Sequence, residues 1–405
     1  MSVAENLKTD APSFVGVSAE EAVSRAEGLV PVLRERVERG ELARQLLPET
    51  IEDLHRTGVL RILQPKRYGG MELDFGTCFD VTYHLGRGCA STAWTGVNLL
   101  IHHWMLALYD DQAQADIWAV DPEAFIASGV ATAQGRGTVV EGGFKISGRW
   151  NFSSGVNVSD WNMLAATIRD GDEIVDYRLC LLHKSEYTII DDWQVLGMRS
   201  TGSMTVEAND VFVPEHRALS MRHTSGCSDY PGKAVNTAPV FDVALSMLSG
   251  HIIAAALIGN AQAALELTAE SIEKRSASYT GVKLRDLQAI QVRVGAAGAR
   301  IDAARNLVRS EMVEGQEYAE RGEIPTQERK LRAKRNVSYA VTLCTEAVDM
   351  LHTLAGANGI YDSYPIQRIF RDAHAGCGHI LFGNDLNFST WGLVAMGGEV
   401  KTNLL

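Results

Sequence analysis

The sequence predicts an α+β chain arranged as helices, then strands, then helices, and three shifts of pattern carry that prediction. Apolar residues recur every three or four positions from Ala19 to about Tyr109, alternate with polar ones from about Ala124 to Pro214, and return to the helical period from about Val243 onward. At 405 residues the chain exceeds what one hydrophobic core supports, so two or three packed subdomains are expected. The shifts divide it into a loose leader (1–18), an N-terminal helical domain (19–123), a central β domain (124–235) and a C-terminal helical bundle (236–405).

The first lobe opens with AEEAVSRAEGLVPVLRERVERG and continues with LPETIEDLHRTGVLRIL, both spaced as amphipathic helices. Thr50 and Asp53 have the spacing of a helix cap, and KRYGG (66–70) ends the pattern in a glycine loop. CFDVTYHLGRGCASTAWTGVNLLIHHWMLALY resumes as helices joined at the small residues GRGCAST. In the middle, GTVVEGGFKISGRWNFSSG reads as a hairpin turning at Gly142-Gly143, and YRLCLLHKSEYTII and TGSMTVEANDVFVP are rich in β-branched residues. Beyond MRHTSGCSDYPGKAVNTAP the helical period returns. HIIAAALIGNAQAAL (251–265) is interrupted by Asn260 and Gln262, so it reads as a buried helix and not a membrane span. Pro325, in RGEIPTQ, is expected to start a further helix at a corner.

Composition narrows the partners. With 46% hydrophobic and 22% charged residues the chain is an ordinary globular protein, and a formal charge of -12 argues against nucleic acid or an anionic membrane. Six cysteines without CxxC pairing read as reduced thiols, and the N-terminus is polar and acidic where an export signal would be basic and then apolar, so a cytoplasmic protein is expected. The sequence has no GxGxxG after a strand, GK[ST] loop, GxSxG elbow or HExxH. No metal centre is expected either. His102 and His103 are adjacent and diverge on a helix, and His374 and His379 have only Asp372 and Asp385 as nearby carboxylates.

Three polar clusters lie in apolar surroundings. His102 and His103 interrupt LLIHHWMLALY, where a buried, hydrogen-bonded histidine is the ordinary outcome. In GRWNFSSGVNVSDW, Ser153, Ser154 and Gly155 read either as a plain turn or as a hydroxyl and amides presented to a planar ring, with Phe152 or Trp150 against its edge. In FRDAHAGCGHILFGND, His374 and His379 are flanked by Gly376 and Gly378, whose low helix propensity favours a kink or loop.

From about Leu46 to the end the chain resembles the acyl-CoA dehydrogenase superfamily. LPETIEDLHRTGVLRILQPKRYGGMELDF is similar to its N-terminal helix and glycine turn, GMRSTGSMTVEANDVFVP to its β-domain strand pair, and LAGANGIYDSYPIQRIFRDA to its C-terminal glycine-and-arginine segment. The resemblance implies a central β-barrel-like domain, a C-terminal four-helix bundle, and a homotetramer to which the small-residue face GAAGARIDAA is suited. Dehydrogenases of that superfamily need a carboxylate base, but the segments that would carry it read HAGCGHI and LSMLSGHII, without Glu or Asp. GRGCASTAW, RWNFSSG and RDAHAGCGH instead resemble the oxygenase components of two-component flavin-dependent monooxygenases.

That likeness implies an enzyme that takes reduced flavin, FADH2 or FMNH2, from a separate NAD(P)H-dependent reductase. With O2 it would hydroxylate a phenol, indole or polyketide aromatic through a C4a-hydroperoxyflavin. Ser154 would lie at the flavin N5 and C4a in preference to Ser153, since neighbouring strand residues face opposite ways. His379 would be the acid–base residue, with His374 as second choice, and His102, or else His103, would complete the site. Arg275 would meet the cofactor phosphate, with the neighbouring subunit sharing in flavin binding, and Arg199, Thr201 and Ser203 would lie near the ring or the substrate mouth. Trp104, Phe382 and Trp391 fit a flat apolar substrate. The alternative is an acyl-CoA dehydrogenase-like flavoenzyme acting as a dehydrogenase or oxidase.

Overall fold

A computed structural model describes residues 11–400. Helices come first: α1 (Ala19–Ala43), α2 (Pro48–Thr57), α3 (Phe75–Gly88), α4 (Ala90–Leu106) and the single turn α5 (Asp111–Gln114). Ser18 caps α1 by accepting from the Glu21 amide, and Asp74 caps α3 by accepting from Thr77. The start of α2 differs from expectation. Leu47 is its cap, Pro48 its first residue, and Thr50 is buried inside the helix, because proline's fixed φ already sets the helical start.

The loose leader is likewise corrected. Residues 1–10 lie outside the described residues, but Phe14 is buried and its N–H bonds to the Gly69 carbonyl at 2.8 Å. The Arg61 guanidinium holds the Pro12 carbonyl at 2.6 Å, so Pro12 to Ser18 is fastened to the first lobe.

Eight strands follow: β1 (Ile126–Gly129), β2 (Gly135–Val140), β3 (Gly143–Ser153), β4 (Trp161–Asp170), β5 (Glu173–His183), β6 (Thr188–Ile190), β7 (Met204–Pro214) and β8 (Ala218–Ser220). They form one sheet in the order β6-β7-β3-β2-β4-β5-β8, with β1 and β2 end to end along one edge of β4 and parallel to it. The β2–β3 hairpin turns at Glu141 and Gly142, the glycine at φ 76°. β4 and β5 are apolar at successive positions because both faces are covered. Met163, Ala165, Leu179 and Leu181 belong to the core shared with the helices, whereas Leu164, Ala166, Cys180 and Leu182 belong to a second core of β-domain residues alone.

Past β8, short 3-10 turns lead to α6 (Ser249–Lys274), α7 (Gln288–Glu320), α8 (Gln327–Leu354), α9 (Pro365–Gly376) and α10 (Asn384–Ala395). α6 is buried at every position from Gly250 to Ala261, which accounts for its apolar sequence on all sides. It crosses α3 on glycines: a Cβ on Gly86 would lie 2.6 Å from the Ala256 carbonyl oxygen, and one on Gly259 2.2 Å from that of Tyr83. At α8 the cap is Thr326, accepting from the Arg329 amide, so Pro325 sits just outside the helix and does not start it.

Candidate active site

A bulge near the end of β3 sets the site. Between Trp150 and Ser153 the pairing with β7 slips, and Phe152 takes a left-handed conformation at φ 65°. The extra residue turns both Trp150 and Ser153 into the second core, where the Ser153 hydroxyl accepts from Asn162 Nδ2 at 3.0 Å. Ser154 is thereby turned the other way. Gly155 follows at φ 75°, and a Cβ there would lie 2.8 Å from the Thr95 methyl, so this turn rests directly on α4.

Facing Ser154 is the loop from Leu196 to Ser203, in which Met198 and Gly202 are left-handed at φ 56° and 53°. The Gly155 N–H bonds to the Thr201 carbonyl at 3.0 Å. Hydroxyls of the two segments then form a chain: Ser154 Oγ to Ser203 Oγ at 2.7 Å, Ser203 Oγ to Thr201 Oγ1 at 2.7 Å, and Thr201 Oγ1 to the Met198 carbonyl at 2.9 Å. A carbonyl only accepts, so Thr201 donates to Met198, Ser203 must donate to Thr201, and Ser154 to Ser203. The chain therefore has a direction that commits the Ser154 proton and leaves its lone pairs free.

α9 ends at Gly376, and His379 caps the short 3-10 turn Ile380–Phe382, its Nδ1 accepting from the Leu381 amide at 3.3 Å. The neutral ring thus carries its proton on Nε2. It meets Trp94 edge to face at 5.6 Å and Phe382 at 5.9 Å, and burial holds its pKa below the ordinary histidine value. Trp94 and Thr95 are successive residues of α4. The early turns of that helix touch both the His379 ring and the Ser154 turn, which brings Ser154, Thr201, Ser203 and His379 around one helix.

Other residues singled out in the sequence lie elsewhere. Trp150 is fully buried with Nε1 donating to the Ala165 carbonyl at 2.7 Å, so it cannot meet a ring-shaped ligand, for the same reason of the bulge. Phe152 points outward, 69% exposed and edge-on to Trp193 at 6.2 Å. His102 is buried with Nδ1 on the Ile126 carbonyl at 2.5 Å and its pKa pushed down to about 4 by burial. His103 accepts from Trp118 Nε1 at 3.2 Å and is pushed down to about 3. Both are neutral groups of the core, two turns along α4 from Trp94.

His374 is directed to α8, where it pairs with Asp349 at 2.8 Å and packs on Phe370. The end of α9 falls between it and His379, so the two rings do not face the same way. Arg275 donates to the Leu354 and Ala355 carbonyls at 3.4 and 3.3 Å and lines a cavity of about 210 Å3 with Ser271, Lys274 and Tyr364. Arg199 is exposed and bonded to the Val195 carbonyl at 2.9 Å. Trp104 is a core residue donating to the Val240 carbonyl at 2.7 Å, and Trp391 lies under the Arg335 guanidinium at 3.9 Å. Of those three aromatics Phe382 alone touches His379. Trp94 and Thr95 were missed by the sequence reading, although both stand in STAWTG: a tryptophan and a threonine in an apolar helix carry no pattern of their own.

Reduced isoalloxazine needs a hydrogen-bond acceptor near N5, a flat apolar bed and shelter from water. Ser154, with free lone pairs and almost no exposure, meets the first of those needs, and the exposed Phe152, edge-on to Trp193, offers apolar surface beside it.

Residues 21–120 match the family model of the acyl-CoA dehydrogenase N-terminal domain, and residues 251–384 that of the acyl-CoA dehydrogenase C-terminal domain. The flavin-dependent monooxygenase oxygenase subunit HsaA of Mycobacterium tuberculosis is 35% identical, covering 90% of this chain and 95% of its own. The oxygenase component of p-hydroxyphenylacetate 3-hydroxylase from Acinetobacter baumannii is 30% identical over 96% of this chain and 91% of its own. Among solved structures, 3-HSA hydroxylase from Rhodococcus sp. RHA1 superposes with a TM-score of 0.90 at 32% identity, covering 95% of this chain and 99% of that one. XiaF from Streptomyces sp., in complex with FADH2 and glycerol, superposes with a TM-score of 0.88 at 27% identity, covering 96% and 98%.

Proposed function

The chain belongs to the oxygenase components of flavin-dependent monooxygenases built on the acyl-CoA dehydrogenase fold, and from that premise we propose that it hydroxylates a phenolic or similar flat aromatic compound. Its cosubstrates are O2 and reduced flavin from a separate reductase. The observation that carries this reading is the acceptor hydroxyl of Ser154 and the neutral imidazole of His379 set against successive residues of one helix, the Ser154 turn on Thr95 and His379 on Trp94.

Reduced flavin, when bound, activates O2 and supplies the oxygen atom transferred to the substrate. Ser154 would accept from the N–H that the reduced ring carries at N5, and the direction of the hydroxyl chain keeps it an acceptor. Phe152 and Trp193 would border the ring, and the Arg275 cavity of a neighbouring subunit would meet its phosphate. His379 donates from Nε2 to a phenolic oxygen. A hydrogen bond from Nε2 is stronger to a phenolate than to a phenol, so it favours the ionised substrate and enriches the ring carbon to be hydroxylated, while Nδ1 stays on the Leu381 amide. Trp94 and Phe382 enclose that imidazole and keep water away, because water diverts the oxygen to hydrogen peroxide.

The dehydrogenase alternative would need a carboxylate base, and HAGCGHI and LSMLSGHII, the segments that would carry it, hold no Glu or Asp. Asp372, the carboxylate nearest His379 in the chain on its N-terminal side, is buried and bonded to the Met198 amide. A homotetramer formed through the C-terminal helices is part of the same reading, supported by Leu386, Phe388, Leu393 and Met396 of α10 and its end, all exposed.

The test is His379→Ala, supplied with a flavin reductase, NADH and a panel of phenols and indoles, with product and hydrogen peroxide both measured. Hydroxylation should fall about 100-fold or more while peroxide rises and the circular dichroism spectrum stays unchanged. Undiminished hydroxylation would remove His379 from its role. A wild-type protein that binds reduced flavin yet hydroxylates no member of the panel would overturn the choice of substrate class.

A further inference from the structure

The loop from Leu196 to Ser203 carries two of the three hydroxyls in the chain, and it is fastened from α9. Asp372 Oδ1 accepts from the Met198 N–H at 2.6 Å. Its neighbour Arg371 donates to the Leu196 carbonyl at 2.8 Å and grips both carboxylate oxygens of Glu41, in α1, at 2.9 and 3.1 Å. Loop and helix backbones touch, since a Cβ on Gly197 would lie 2.2 Å from the Arg371 carbonyl oxygen. Met198 is left-handed at φ 56°, a conformation that a residue with a side chain keeps only where its surroundings hold it.

Met198 is thus bonded at both ends. Its N–H goes to Asp372, and its carbonyl receives the Thr201 hydroxyl that begins the line through Ser203 to Ser154. Four residues after Asp372, α9 stops and the turn with His379 begins. We propose that Asp372 is a positioning residue that locks Met198 in place and so ties Ser154, through one line of hydrogen bonds, to α9 and thereby to His379 just beyond the end of that helix. Burial raises its carboxyl to about 6, and Arg368, Arg371, Glu41 and Cys89 are the charged and titratable groups around it. The inference rests on the functional reading above in taking Ser154 and His379 as the working pair.

Asp372→Asn keeps an oxygen for the Met198 N–H, and Asp372→Ala removes it. On the full-length protein two quantities are measured: amide hydrogen exchange of residues 197–203 and 377–383 by mass spectrometry, and anaerobic affinity for FMNH2 and FADH2. Asp372→Ala should speed exchange at Met198 and its neighbours about tenfold or more and weaken reduced flavin about fivefold or more, whereas Asp372→Asn stays within about twofold of wild type in both. Gly197→Ala, which wedges loop from helix without touching the carboxylate, should reproduce the loosened loop and serves where the Asp372→Ala protein does not fold. Faster exchange confined to α9 with loop and flavin affinity unchanged would overturn the proposal, and so would an Asn variant as impaired as Ala. If wild type itself binds neither reduced flavin, the functional reading fails while the exchange comparison still decides the role of Asp372.

Discussion

The direction of the hydroxyl chain predicts which redox state of flavin the protein prefers, and by how much. At N5 the reduced ring offers an N–H, and the oxidised ring a lone pair. With its proton committed to Ser203, Ser154 can accept from the first but cannot donate to the second. A made hydrogen bond contributes about 0.5–1.5 kcal/mol net, and an unmet buried partner costs about 1–3 kcal/mol, so this contact favours reduced flavin by about tenfold or more. Ser154→Ala should weaken reduced flavin about tenfold and leave oxidised flavin nearly unchanged. Ser203→Ala releases the Ser154 proton, so oxidised flavin should tighten while reduced flavin stays close to wild type, again narrowing the ratio about tenfold. Anaerobic titration with FMNH2 and FADH2, set beside aerobic fluorescence titration with the oxidised forms, measures both affinities. If either variant moves the two redox states by the same factor, the assigned direction is wrong.

The remaining predictions concern stability. His102, His103 and His251 are buried and neutral, pushed down to about 4, 3 and 3 by burial, so below about pH 6.5 the unfolded chain takes up three protons that the folded chain refuses. Asp372, raised to about 6, acts the other way because the folded chain keeps a proton that the unfolded one has released above its own lower pKa. The balance is a loss of about 3 kcal/mol per pH unit between about pH 5.5 and 4.5, seen as a falling Tm, and a flat profile would contradict the burial of these rings. Gly259→Ala should lower Tm through about 1–3 kcal/mol of overpacking against the Tyr83 carbonyl, despite alanine's better helix propensity; calorimetry showing a rise would mean that α3 and α6 yield there. Trp150→Phe should cost about 1–3 kcal/mol through the orphaned Ala165 carbonyl and leave flavin affinity intact, whereas a weakened flavin complex would put that indole back at the ligand.

The sequence made the helix–strand–helix order legible because the spacing of apolar residues changes twice, and each change coincides with a change of neighbours in the fold. It also separated Ser154 from Ser153, but by a different route from the alternation it assumed: Ser153 is the last residue of β3, and Ser154 already belongs to the turn after it. The same logic failed for Trp150. An extra residue at the bulge put Trp150 and Ser153 on one side, and nothing in RWNFSSG announces a left-handed Phe152. Thr50 lost its capping role to a proline two residues earlier. His374 and His379 both stand beside glycines in the sequence, and the end of α9 turns His374 to Asp349 and leaves His379 against Trp94. The fastening of the Leu196–Ser203 loop by Asp372 joins residues 174 positions apart, beyond the reach of any local pattern.

Because β4 is covered on both sides, its odd-numbered and even-numbered residues answer to separate interiors. Variation at Leu164, Ala166 and Ile168 would be absorbed inside the sheet, whereas variation at Met163 and Ala165 would tilt the platform on which the helical lobe is seated. A deletion of one residue would swap the two sets at a stroke, so functional relatives should differ along this strand by exchange of side chains and not by length.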